Sequence, residues 1–308
     1  MTIGVVVMAY GTPADHDDIE RYYTDIRRGR PPAPEQLADL TRRYDAIGGT
    51  FPLREITERQ VAALQRHLGD GYAVVLGQKH AHPTIEAAVA RLADRGVTRV
   101  VGVVLAPHYS ALSVGEYARR AAEAAQAHGL AATTVEHWHL MPEYLDFLAR
   151  AVVAAQATLP EDVQRDAEVV FTAHSLPEKA VRTGDPYPDQ VRATAEATAA
   201  LADLFRWSTA WQSAGRTADT WLGPDLLDVI RVRAEEGAAG IVVCACGFVA
   251  DHLEVAYDLD VEAAALAREV GLPFARTRSV NDDDAVLAAL ARAVRDAAAA
   301  AVAADAGE

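Results

Sequence analysis

The stretch Ile3-Gly4-Val5-Val6-Val7-Met8-Ala9, followed at once by Tyr10-Gly11-Thr12-Pro13, decides the fold. It carries no charge, is rich in valine and is polar on neither face, which fits a strand buried on both sides of a parallel sheet. The same signature recurs at Ala73–Leu76, Val100–Ala106, Val169–Ala173 and Ile241–Val249, with a weaker run at Ala131–Val135. Longer stretches between them read as helices: Glu55–Leu68, Pro83–Arg95, Val114–His128, Pro188–Leu204, Pro224–Glu236 and Asp282–Ala303. Several begin with proline and an acidic residue in the first turn, or end before glycine, as helix termini require. Strand, helix, strand at this spacing argues an α/β fold, parallel sheets flanked by helices. A chain of 308 residues can do this twice. The division is expected within 140–165, giving an N-terminal domain over 1–150 and a C-terminal domain over 151–308, with the last helix able to pack across them.

Composition narrows the function. Half the chain (51%) is hydrophobic, so a sizeable core is available, and 29 Lys+Arg against 44 Asp+Glu leave a net charge of −15. Such a chain repels phosphate backbones and anionic lipid, which argues against nucleic-acid partners. The longest apolar run, Ile241–Ala250, is far short of the ~20 residues that span a bilayer, so no stable membrane insertion is expected. The first residues lack a basic region and a cleavage site, so a cytoplasmic protein is expected. Cys244 and Cys246 read as neighbours on one face of a strand; that geometry is wrong for a mutual disulfide, and two thiolates cannot complete a zinc or iron–sulfur site.

Ligands of doubly wound sheets bind beyond the carboxyl ends of the strands. There the chain places Tyr10; Lys79, His80 and His82; His108 and Tyr109; His174-Ser175; and Asp251, His252 and Glu254. Every strong strand thus ends in a group able to bind a metal or move a proton. No G-x-G-x-x-G or G-x-x-x-x-G-K-[ST] follows any strand, which disfavours a nucleotide, and no G-x-S-x-G surrounds Ser175. The segment 251–269, DHLEVAYDLDVEAAALARE, reads as one helix with Glu254, Asp258 and Glu262 along one face. Like charges so spaced cost a few tenths of a kcal/mol per pair unless a cation lies beside them; a solvated acidic face and a site for Mg²⁺ or Fe²⁺ both fit. Arg27-Arg28-Gly29-Arg30 and Arg42-Arg43 fit either solvated surface or docking of an anionic substrate.

Taken together, VMAYGTP (7–13), DIERYYTDIRRGRPP (18–32), RRYDAIGG (42–49), LAPHYSALSVGEY (105–117), TAHSLPEK (172–179), GDPYPDQV (184–191), WQSAGRTADTWLGPD (211–225) and GFVADHLEVAYDLDVE (247–262) resemble ferrochelatase. The likeness runs nearly end to end and is strongest to the short coproporphyrin-type enzymes of Gram-positive bacteria. It implies two Rossmann-like, chelatase-type domains with a porphyrin cleft, and insertion of Fe²⁺ into a porphyrin, with coproporphyrin III the expected one, in haem biosynthesis. By motif it implies that His174 and Glu254 form the catalytic and metal-handling pair, and that Tyr10 reaches the metal from the other face of the ring. Arg27, Arg43, Tyr44 and Tyr117 would line the porphyrin pocket, and Asp258 and Glu262 would form an outer acidic metal site able to take Mg²⁺. Fe²⁺ is then a substrate, no cofactor is required, no iron–sulfur cluster is expected, and contacts with other haem-pathway proteins would be transient. Phe51 stands where these enzymes often carry a serine that bonds a propionate. A tetrapyrrole carrier and a cobalt or nickel chelatase acting on sirohydrochlorin are the rival readings.

Overall fold

A computed structural model describes residues 2–215 and 217–306. Arg216, inside the WQSAGRTADTWLGPD block, and the last two residues lie outside the described residues. The chain forms two compact units, one of residues 1–138 with 281–308 and one of residues 139–280.

In the first unit, β1 (Ile3–Ala9) is followed by α1 (Ile19–Ile26), α2 (Pro34–Ala46), α3 (Pro52–Leu68), β2 (Tyr72–Gln78), α4 (Ile85–Asp94), β3 (Arg99–Val104), α5 (Val114–Ala127) and β4 (Ala131–Val135). All strand pairs are parallel, in the order β2-β1-β3-β4. Val5, Val6, Val7 and Met8 are fully buried, as the charge-free run requires. Val6 and Met8 pack with Ile85 and Leu92 of α4 and Val114 and Tyr117 of α5. Burying side chains of this size contributes about 1.5–3 kcal/mol each. α3 covers the sheet beside β2, and the last helix of the chain, α12 (Asp284–Ala306), packs on α3, β3 and β4.

The second unit runs α6 (Pro142–Gln156), β5 (Glu168–His174), α7 (Glu178–Arg182), α8 (Tyr187–Leu201), β6 (Trp207–Gln212), α9 (Leu226–Glu235), β7 (Ile241–Cys244), α10 (Leu253–Val255), a π-helix (Ala256–Ala263), α11 (Ala264–Glu269) and β8 (Phe274–Arg276). Its strands are parallel in the order β6-β5-β7-β8, the same order as in the first unit. One topology is therefore used twice without a visible sequence repeat. The fold class expected from sequence, two domains each with a parallel sheet flanked by helices, is what the chain forms.

Several details differ from expectation. The units divide at 138/139 and not at 150/151, because α6 buries Tyr144, Phe147, Leu148 and Val152 in the second unit, beside β7, β8 and α8. The C-terminal helix returns to the first unit, tied through Arg59–Asp282 and His67–Asp284 ion pairs. The run 241–249 is a strand only to Cys244; Cys246 N–H turns back on the Cys244 carbonyl (2.8 Å), so Cys246 is not a strand residue. The segment 251–269 is not one α-helix, for its central turns are π-helical. β6 reads WSTAWQ, too polar to register as a buried strand, and β8 has only three residues. Among the described residues no helix is long and apolar enough to cross a membrane.

Candidate active site

Strand order reverses between β5 and β7, so the crevice beyond their carboxyl ends is the place where such a sheet binds ligands. His174 is the last residue of β5. Its Nδ1–H donates to the Ser175 carbonyl at 2.6 Å, which leaves Nε2 as the free-lone-pair nitrogen of the neutral ring. That nitrogen stands 3.8 Å from Glu254 Oε1. The other oxygen, Oε2, lies 3.6 Å from His252 Nε2, and His252 Nδ1–H donates to the Ala250 carbonyl at 3.1 Å. Glu254 thus sits between two imidazoles, each fixed in the same tautomer by a backbone carbonyl. His174 and Glu254 are each a little over one-third exposed, so a ligand can reach both.

Local packing explains the position. After β7 the chain folds over the end of β5, where the Gly247 N–H donates to the Thr172 carbonyl at 3.0 Å. A Cβ at Gly247 would lie 2.5 Å from the Ala173 Cβ, so only glycine permits the approach. Ser175 is buried and its hydroxyl donates to the Leu222 carbonyl, which removes it as a nucleophile. Trp221 lies beside His174, its ring centroid 6.4 Å away.

Behind Glu254, Asp258 is buried in the π-helix. Its Oδ2 accepts from Ser213 Oγ (2.5 Å) and Gln212 Nε2 (3.3 Å), and the Gln212 Oε1 accepts from Thr172 Oγ1 (2.8 Å). Burial pushes the Asp258 carboxyl up to about 6, against the Ser213 and Gln212 bonds and with help from the Glu254 and Glu262 charges. Asp258 therefore feels both neighbours, and it shares the π-helix with Glu262. Among the described residues no three His, Cys, Asp or Glu side chains are arranged to hold a metal ion. One oxygen of the Asp258–Glu262 pair, Asp258 Oδ2, is already committed to protein donors. Cys244 and Cys246 are buried, and burial pushes the Cys244 thiol up to about 12.

In the first unit Tyr10 directly follows β1 and is 43% exposed. Its ring meets His80 edge-on at 4.7 Å. His80 Nδ1 pairs with Asp25 at 2.7 Å, yet burial lowers its pKa. Gly11 has φ +96, and a Cβ there would meet Ala81 at 2.8 Å, so the AYGTP turn needs glycine. Tyr44 is buried, its hydroxyl 3.3 Å from Thr12 Oγ1 and its ring stacked on Phe51 at 4.5 Å. Arg43, one residue earlier, pairs with Asp39 at 3.2 Å. Arg27 closes α1, with its guanidinium over the Tyr23 ring. Tyr117 lies in the core beneath Lys79, and burial, then the Tyr10 charge, push its phenol well above its usual range.

Sequence reading named His174 and Glu254 as a pair, and the structure sets their side chains 3.8 Å apart. It did not connect His252, Gln212 or Ser213 to them. The H-x-E spacing of His252 and Glu254 was a usable signal; the Gln212–Ser213 contacts depend on β6 lying next to β5 and leave no local trace.

The chain is similar to several known proteins. Residues 2–298 match the family model described as Ferrochelatase. The coproporphyrin III ferrochelatase of Geobacillus kaustophilus is 45% identical over 300 residues, covering 95% of both chains. That of Bacillus subtilis is 44% identical over 299 residues, covering 95% of this chain and 96% of the relative. Among solved structures, SirB from Bacillus subtilis with Fe³⁺ superposes with a TM-score of 0.66 at 11% identity, covering 98% of both chains. CbiX, the terminal enzyme for biosynthesis of sirohaem in denitrifying bacteria, gives 0.55 at 14% identity over 96% of this chain and 99% of its own, so both show the fold alone. With a family model matched along nearly the whole chain and its blocks seated at the ends of β1 and β5 and after β7, this protein belongs to the ferrochelatase family.

Proposed function

We propose that this protein inserts Fe²⁺ into coproporphyrin III, with loss of two pyrrole protons, in haem biosynthesis. The observation that carries the reading is the His174 Nε2–Glu254 pair at the strand-order reversal of the second unit, backed by Asp258 and Glu262. The 45% identical relatives that bear this activity in their names support the choice of porphyrin.

A free-base porphyrin is flat, and two N–H groups close its centre. Metal insertion requires nitrogen lone pairs turned to one face and both protons removed. The His174 lone pair is oriented to accept one proton, and the resulting imidazolium is stabilised by Glu254 at 3.8 Å. Glu254 can hand a proton on to His252, whose Nε2 faces its second oxygen. The carboxylates Glu254, Asp258 and Glu262 offer protons a way out or ferrous iron a way in. Asp258, raised to about 6 by burial, accepts and releases a proton closer to physiological pH than an ordinary carboxyl does. Fe²⁺ passes as a substrate and no step needs a resident metal. Arg27, Arg43 and Tyr44 supply the cationic and phenolic groups that hold propionates and fix the ring. A cytoplasmic enzyme fits two buried, unpaired cysteines.

The test is a steady-state assay with Fe²⁺ and either coproporphyrin III or protoporphyrin IX. Coproporphyrin, which bears more propionates, is expected to give the higher kcat/KM. Binding of porphyrin without consumption of iron would make the protein a carrier and overturn the reading.

A further inference from the structure

We infer that Arg276 is a positioning residue for Glu254, and that it acts by clamping the segment that carries Glu254 at its start, through Asp251, and in the π-helix that follows, through Asp260; this rests on the iron-insertion reading. Arg276 ends β8, away from the reacting groups. Its Nε and Nη2 donate to the two oxygens of Asp260 at 2.6 and 2.7 Å, a fork on one carboxylate. Its Nη1 donates to Asp251 Oδ1 at 3.1 Å and to the Thr277 carbonyl at 3.2 Å. Asp251 Oδ1 also accepts from Ser279 Oγ at 3.0 Å. Only 21% of the Arg276 side chain is exposed, and its Asp251 contact is the better shielded of the two, Asp251 being 29% and Asp260 45% exposed.

The two carboxylates differ in what they anchor. Asp251 precedes His252 and the start of α10; Asp260 lies in the middle of the π-helix, between Asp258 and Glu262. One guanidinium therefore pins both ends of the stretch that bears His252, Glu254 and Asp258. π-helical turns are rare and compete with the ordinary α-helix, which would turn Asp260 about the axis relative to α10, where Glu254 lies. Fixing two points of the stretch to one rigid group holds Glu254 at its angle toward His174. Asp251 and Asp260 are both paired with this one cation. A lysine preserves the charge but offers one ammonium where the fork and the third contact need a planar, many-donor group.

The test uses the full chain with Fe²⁺ and coproporphyrin III, in wild type, Arg276→Lys, Asp260→Asn, Glu254→Gln and the Arg276→Lys/Glu254→Gln pair. Arg276→Lys is expected to lower kcat roughly tenfold or more, since small misplacements of a reacting group are costly, and to leave the porphyrin KM within about twofold. In the Glu254→Gln background the same change should cost less than about twofold more, because the group it positions is already disabled. A general structural loss would instead multiply in both backgrounds. Arg276→Lys that melts with wild type and keeps more than about half of kcat, or a fully multiplicative pair, overturns the inference. Where Arg276→Lys does not fold, Asp260→Asn, which leaves the Asp251 contact, is read by the same criteria. An inactive wild type overturns the iron-insertion reading and this one with it; an active wild type with an indifferent Arg276 overturns this one alone.

Discussion

Replacing Asp258 by asparagine should make the protein more stable at neutral pH, and the structure sets the size of the gain. Burial raises the Asp258 carboxyl from 3.8 to about 6, so the folded state binds a proton that the unfolded state releases between those values. A raised carboxyl is a cost that is absent below about pH 4, grows as pH rises, and is complete above about pH 6. At about 1.4 kcal/mol per pKa unit the ceiling is about 3 kcal/mol. Asparagine is isosteric, and its carbonyl oxygen can accept the same bonds from Ser213 and Gln212, so little is lost in exchange. Unfolding of wild type and Asp258→Asn by calorimetry at pH 4, 6 and 7.5 should show Tm values that agree at the lowest pH. They should separate by roughly 5–10 °C at the highest. The variant should also need more Fe²⁺ to reach half-maximal rate, since the acidic group loses a charge; stability and activity would then move in opposite directions. A variant no more stable than wild type at pH 7.5, or a gap that does not change with pH, would refute the reasoning.

Other substitutions probe the remaining parts. His174→Ala should abolish iron insertion while porphyrin fluorescence is still quenched on binding; full activity would remove His174 from the mechanism. Glu254→Gln should lower turnover by at least ~10²-fold, read in the same assay, if the carboxylate moves protons. Gly247→Ala puts a Cβ 2.5 Å from the Ala173 Cβ, so a loss of about 1–3 kcal/mol in urea unfolding is expected, with a fall in kcat as the loop carrying Glu254 is displaced. Phe51→Ser removes the ring stacked on Tyr44, worth about 1 kcal/mol, and exposes a hydroxyl. It should lower Tm slightly and lower KM for coproporphyrin, and an unchanged KM would show that no propionate meets this position.

How much of this could be read in the chain depends on range. The buried valine runs fix β1 and β5 almost to the residue, because a strand covered on both faces must be apolar on both. β6 was invisible for the opposite reason: its polar Ser208 and Gln212 take their partners from the neighbouring β5. α6 went unread because its span was taken as a boundary, although Tyr144, Phe147 and Val152 are core residues. For the site, the spacing of Glu254, Asp258 and Glu262 was enough to expect a column, since i and i+4 share a face of an α-helix.

Sequence alone determined the class of fold, the family, and which strand ends carry proton-handling groups, because these follow from local patterns of apolar runs and short motifs. Only the tertiary structure decided that the two sheets share one strand order and that the acidic segment adopts a π-helix. It alone decided that Asp258 is buried under Ser213 and Gln212, and that Arg276 ties Asp251 to Asp260. Those features join residues distant in the chain, and a carboxylate's proton affinity or a helix's register is set by what packs against it.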